Sequence, residues 1–182
     1  MSAAMASRTL DMPAPPAIAG RAPLTVLWAE MDELTPRQLH DVLRLRVDVF
    51  VVEQACAYPE IDGRDPAARH LLLSAPSESG EGEAELAACL RLLRPAAPGA
   101  PLRIGRIVVA PAWRGTGLGD YLMRAALAEA RRIAPDSPQA LSAQAHLTAF
   151  YSGHGFVPVS ETYLEDGIPH VDMLRDPACH DT

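Results

Sequence analysis

The sequence predicts a single α/β domain built on a mixed sheet, and three observations carry that prediction. Short apolar runs of strand character alternate with longer stretches of helical period instead of separating into an all-strand and an all-helix half. Two of the helical stretches directly follow apolar strands, at 104–110 and 141–145, which permits parallel crossovers. The 182 residues, 48% of them hydrophobic, suffice for one core of ordinary size.

The elements follow in order. Residues 1–23, "MSAAMASRTLDMPAPPAIAGRAP", are rich in Ala and Pro without a periodic apolar face, so they read as a mobile tail, with 177–182 as a second tail. The domain then spans 24–176. "LTVLWAEM" reads as a first strand. "LTPRQLHDVLRLRVDVF" opens a helix, with Thr35 as N-cap, Pro36 in the first turn, and Leu39, Val42, Leu43, Val47 and Phe50 at helical spacing. "HLLLSA", "ELAACLRLLR" and "PLRIGRIVVA" form a three-strand meander, divided by the Ser/Gly/Glu stretch 76–83 and by "PAAPGAP". "DYLMRAALAEARRIA" is a helix of strong formers stopped by Pro135. "ALSAQA" is a short strand, "HLTAFYSGHG" a short helix ended at glycine, and "FVPVSETY" with "HVDMLR" a closing pair of strands. The predicted order is strand, helix, three strands, helix, strand, helix, two strands.

Composition narrows the function. Lys and Arg total 16 against 23 Asp and Glu, a formal net charge of -7, and no basic cluster offsets it, which excludes nucleic acid as the main partner. Cys56, Cys89 and Cys179 are odd in number and lack metal-ligand spacing, so they read as reduced thiols with neither a disulfide framework nor a metal site. No apolar run approaches the roughly 18 residues of a membrane span and no secretory leader is evident, so the expectation is a cytoplasmic protein without membrane attachment.

The chemistry concentrates at "IVVAPAWRGTGLGDYLM", where a β-branched run passes through three alternating glycines into a helix. The first-turn N–H groups of a helix lack intrahelical partners and carry partial positive charge, so such a junction binds phosphate. Glycines let the backbone approach an anion and adopt positive φ. A Rossmann fingerprint would need glycine at 120 or 122, where Asp120 and Leu122 stand, and a P-loop would need Gly-Lys-Ser/Thr. What remains is R-x-x-G-x-G, from Arg114 to Gly119, against the alternative of a tight turn with no ligand.

At this junction the chain resembles the GNAT superfamily of acetyl-CoA-dependent N-acetyltransferases, whose acyl-CoA loop reads Q/R-x-x-G-x-G/A. "FYSGHGF", with Tyr151 four residues before Gly155, is similar to the family's Y-x-x-x-G-F. "FVVEQ", "IDGRD", "RH" at 69–70, "AQAHLTAFY" and "EDGIPH" resemble the bacterial ElaA-type branch. The resemblance covers residues 24–176 and implies a mixed central sheet of the GNAT type.

It also implies roles. The backbone of Arg114, Gly115, Thr116, Gly117, Leu118, Gly119 and Asp120 would hold the pyrophosphate of acetyl-CoA. The strand edge at Ile107, Val108 and Val109 would bond the pantetheine arm, with Val108 or Val109 polarising the thioester oxygen. Tyr151 would be the acid that meets the departing thiolate, and Glu53 the base that takes the amine proton. Gln54, Asp62, His70, Gln144, His146 and His170 would frame the acceptor pocket, with Asp166 on its rim. Many members carry Asn near the start of the helix bearing the tyrosine, whereas Gln144, Ala145 and His146 stand here. The acceptor is a small-molecule or peptide amine, and a homodimer stays open. Two readings compete with catalysis by direct attack: a CoA-binding regulatory module without turnover, and a relay through Cys56 or Cys89. An acyl-homoserine-lactone synthase is a further minor option.

Overall fold

A computed structural model describes residues 13–76 and 84–178. Eight strands form one sheet: β1 (Thr25–Glu30), β2 (Ala68–Ala75), β3 (Glu85–Leu93), β4 (Leu102–Val109), β5 (Gln139–Gln144), β6 (Val157–Pro158), β7 (Tyr163–Glu165) and β8 (Ile168–Arg175). The path through the sheet is β1-β2-β3-β4-β5-β8-β6, with β7 also paired to β8. All neighbours are antiparallel except β4 and β5. Among the described residues three α-helices accompany it: α1 (Pro36–Arg46), α2 (Leu118–Ile133) and α3 (Thr148–Ser152).

Local signals place most elements where the sequence put them. Thr35 Oγ1 accepts from the Gln38 amide at 3.2 Å while Gln38 returns the bond to the Thr35 amide at 2.9 Å, a reciprocal cap that fixes the start of α1. The apolar face of α1 is rotated from the expected one: Val42, Leu45 and Val49 are buried, whereas Leu43 and Phe50 are only partly so. From Val47 to Glu53 the winding switches to the wide π type, where Gln54 N bonds Val49 O and Cys56 N bonds Val51 O across five residues. That winding carries Glu53 and Gln54 to the cleft described below.

The meander β2-β3-β4 is the centre of the molecule. Residues 86–92 of β3 are all buried, so both faces of this strand are covered, with α1 and α2 packed on it. The first crossover is parallel as expected, through α2 from β4 to β5. The second does not make adjacent parallel strands, because β8 intercalates antiparallel between β5 and β6. "FVPVSETY" accordingly divides into β6 and β7, the latter forming a hairpin with β8.

The tail expectation meets a partial exception. Residues 1–12, 77–83 and 179–182 lie outside the described residues. Ile18, however, packs on the core, and Arg21 donates to Ala112 O at 2.8 Å with its guanidinium 3.9 Å above the Trp113 ring. No helix among the described residues is long and apolar enough to cross a membrane.

Candidate active site

The sheet is interrupted in its middle. β4 and β5 pair only at Leu102↔Gln139 and Arg103↔Ala140, then diverge. A bulge sets this divergence: Arg91 opposes Gly105 and Cys89 opposes Val108, so two residues of β4 stand against Leu90 alone. Arg106 within it adopts φ +53°, a left-handed conformation costly for a side chain with Cβ, of order 1–3 kcal/mol. The edge of β4 from Gly105 to Val109 is therefore unpaired on its β5 side and opens into a cleft of about 1040 Å³.

One end of the cleft meets the glycine turn. Gly115 has φ +74° and Gly117, the residue preceding α2, φ +83°; nothing stands within 4 Å of where either Cβ would be, so conformation and not crowding selects glycine. A Cβ on Gly119 would lie 3.7 Å from the Phe150 ring. Thr116 Oγ1 donates to Trp113 O at 2.6 Å, tying the turn to the short helical turn Pro111–Trp113. Leu118 is buried, so only its backbone can serve a ligand. Asp120 pairs with Arg124 at 2.9 Å and lies 3.5 Å from His154.

Glu53 and Arg114, expected to act separately, are joined: Nη1 meets Oε1 and Nη2 meets Oε2, each at 2.8 Å. Both side chains are substantially exposed. The guanidinium holds the Glu53 carboxyl below the usual carboxylate range, the direction that makes a weaker base.

Tyr151 lines the cleft from α3, 7% exposed, and burial pushes its phenol up to about 12. No described residue hydrogen-bonds its hydroxyl. Phe150 and Phe156 meet its ring edge-on, with centroids 5.1 and 6.4 Å away.

At the other end lies a charge cluster that sequence reasoning missed. Arg46, 1% exposed, binds Glu60 and, at 2.7 Å, Asp65. Arg91 binds Asp62 and, at 3.0 Å, Asp65; Arg106 reaches Glu60 at 2.7 Å. Tyr58 donates to Glu60. Arg91 foremost, through its hydrogen bond, holds the Asp62 carboxyl well below the usual range. For Asp65 burial pushes upward, but Arg46 and Arg91 outweigh it and leave the carboxyl low. Asp62 thus lines the cleft as a charge already neutralised by arginine. His70 does not line the cleft: it is 1% exposed, its Nε2 lies 3.1 Å from Asp65 O, and burial lowers its pKa, so it is a structural residue of β2. The signal for this cluster was available in arginines embedded in apolar runs, "VLRLRV" and "ACLRLL", which demand buried carboxylates.

The remaining acceptor-pocket residues do converge. Gln144 Nε2 donates to Gln54 Oε1 at 3.0 Å across the cleft, His146 follows on the turn after β5, and His170 on β8 faces Gln144 in register. Cys56 donates to Asp166 O at 3.3 Å. Cys89 is 1% exposed and pushed up to about 12 by burial, which withholds the thiolate an acyl relay needs.

The family model for the acetyltransferase (GNAT) domain matches residues 81–176, more than half of the chain. The chain belongs to the GNAT family. A UPF0039 protein of Mycobacterium tuberculosis is 47% identical over 152 residues, covering 82% of this chain and 90% of that protein. ElaA of Escherichia coli is 43% identical over 153 residues, covering 82% and 95%. The ElaA crystal structure is similar with a TM-score of 0.75 over 84% of this chain and 99% of that one, at 41% identity. An acyl-CoA N-acyltransferase of Pseudomonas aeruginosa gives 0.74 over 83% and 99%, at 44% identity. GNAT membership makes this an acyltransferase of the class that draws on acyl-CoA.

Proposed function

We propose that the protein is an N-acetyltransferase that moves the acetyl group of acetyl-CoA to a primary amine by direct attack in a ternary complex. The observation that carries the reading is the unpaired β4 edge, ending at a phosphate-type glycine turn and overlooked by the unpartnered Tyr151 hydroxyl.

Each part has a task in that chemistry. The amides of Arg114 to Asp120, at the N-terminus of α2, receive the pyrophosphate. The free edge of Ile107, Val108 and Val109 offers N–H and C=O groups to the amides of the pantetheine arm, and an amide of Val108 or Val109 polarises the thioester oxygen. The Tyr151 phenol stays protonated throughout the neutral range and donates to the leaving sulfur. The acidic rim at Glu165 and Asp166 favours cationic acceptors, small or peptidic. Acetyl-CoA and reduced thiols both point to the cytoplasm.

The test pairs calorimetric titration of acetyl-CoA with a CoA-release assay over a set of primary amines. Saturable binding and amine-dependent release support transfer. Binding without release from any amine would favour the regulatory module, and no binding would leave the glycine turn without a ligand.

A further inference from the structure

We propose that His170 is the general base of the transfer, taking the acceptor amine's proton on Nε2. The assignment rests on the N-acetyltransferase reading above and deepens it.

His170 Nδ1 lies 2.9 Å from Ile168 O. A carbonyl oxygen only accepts, so Nδ1 carries the hydrogen, and a neutral imidazole so fixed presents its lone pair on Nε2. No described residue forms a hydrogen bond with that nitrogen. The nearest carboxylate oxygen, Glu165 Oε2, stands at 3.9 Å, too far to bond.

His170 lines the same cleft as Tyr151, its side chain 14% exposed. In register it faces Gln144, the last residue of β5, and Tyr163 of β7, on whose ring it stacks at 6.3 Å and 30°. The ring is therefore held by a hydrogen bond on one side and an aromatic face on another, on the β5 side of the parted strands. The same cleft is also lined by Glu165 of β7, Asp166 of the β7–β8 turn, His146 after β5 and Glu53 at the end of the π-wound segment.

The other candidate bases of the cleft are engaged or displaced. Both oxygens of Glu53 are taken by Arg114, Asp62 is held by Arg91 and Arg106, and His70 is outside the cleft. His146 is exposed on its turn, with no hydrogen bond to choose its tautomer.

The step balances. The amine nitrogen attacks the thioester carbon, the C–N bond forms and the C–S bond breaks, the nitrogen's proton passes to His170 Nε2, and Tyr151 supplies a proton to sulfur. Amide and free thiol leave, and exchange with water returns the imidazolium and the phenolate to their neutral forms.

Two measurements test it. Long-range proton–nitrogen NMR on the wild-type protein with CoA bound is expected to show His170 protonated on Nδ1 and bare on Nε2 when neutral. A ring protonated on Nε2 overturns the assignment. His170→Asn keeps a donor near Nδ1 and deletes Nε2. With spermidine, ethanolamine and a peptide bearing a free N-terminus as probes, this variant is expected to lose at least about a hundredfold in kcat. It is also expected to lose the ascending limb of its kcat/KM pH profile while binding acetyl-CoA within about twofold of wild type. Retention of both kcat and the limb overturns the role of His170 with the transfer reading intact. Failure of the wild type to release CoA with any probe strikes the transfer reading itself, and the base assignment falls with it.

Discussion

Arg114 grips both carboxylate oxygens of Glu53 at 2.8 Å, so the residue best placed to meet a pyrophosphate holds a protein anion in its stead. The pair spans the cleft mouth from the end of the π-wound segment to the glycine turn. In the proposed binding mode, incoming phosphate and Glu53 would compete for one guanidinium fork. Glu53→Gln is expected to tighten acetyl-CoA binding, by no more than about fivefold because the pair is solvent-exposed, and to leave kcat near wild type. Arg114→Gln is expected to weaken binding and flatten its salt dependence. Calorimetry at two ionic strengths reads both, and a large fall in kcat with Glu53→Gln would restore that residue as a base.

Gly117 separates conformation from charge. Its φ of +83° disfavours any side chain, but no atom lies within 4 Å of an added Cβ. Gly117→Ala is expected to cost about 1–2 kcal/mol of stability and to keep acetyl-CoA binding within about tenfold. Gly117→Glu adds an anion at the proposed pyrophosphate site and is expected to abolish detectable binding in a protein that still melts cooperatively. Equal binding by the two variants would move the phosphate elsewhere.

Tyr151→Phe removes only the unpartnered hydroxyl. The expected result is a kcat lower by about 10²-fold or more with an unchanged dissociation constant for acetyl-CoA. An acid works while protonated, and this phenol is pushed up to about 12, so no descending limb from Tyr151 is expected below pH 10 in the wild-type profile. Unchanged turnover in the variant would remove the residue from the chemistry.

The buried charge cluster predicts acid sensitivity. Asp62 and Asp65 have lowered pKa values, so they contribute stability that is complete above the unfolded aspartate value of about 3.9 and is lost as pH falls toward their folded values. Urea melts from pH 7 to pH 2 are expected to steepen below about pH 4, and Asp62→Asn to flatten that decline. Arg46→Met, which strands Glu60 and Asp65, is expected to cost about 3–5 kcal/mol at pH 7. A melt indifferent to these changes would mean that Arg91 and Arg106 neutralise the cluster unaided.

Local signals made much of this legible from sequence. The Thr35 cap, the glycine turn and the strong formers of α2 act over a few residues, and each appears where expected. Three features escaped because they depend on distant partners. β8 enters between β5 and β6 through pairings that no local pattern announces. The left-handed residue of the β4 bulge is Arg106 and not its neighbour Gly105, because the Arg106 side chain is anchored on Glu60 and over the Tyr58 ring. The Glu53–Arg114 pair joins residues 61 positions apart, a contact that no local pattern announces.

The parting of β4 and β5 has a mechanical side. Strands β1 to β4 form one plate and β5 to β8 another, and two residue pairs at Leu102 and Arg103 are the strand pairings that join them. A ligand lying in the wedge would touch both plates, so its binding is expected to slow hydrogen exchange on either side of that short seam as well as in its own pocket.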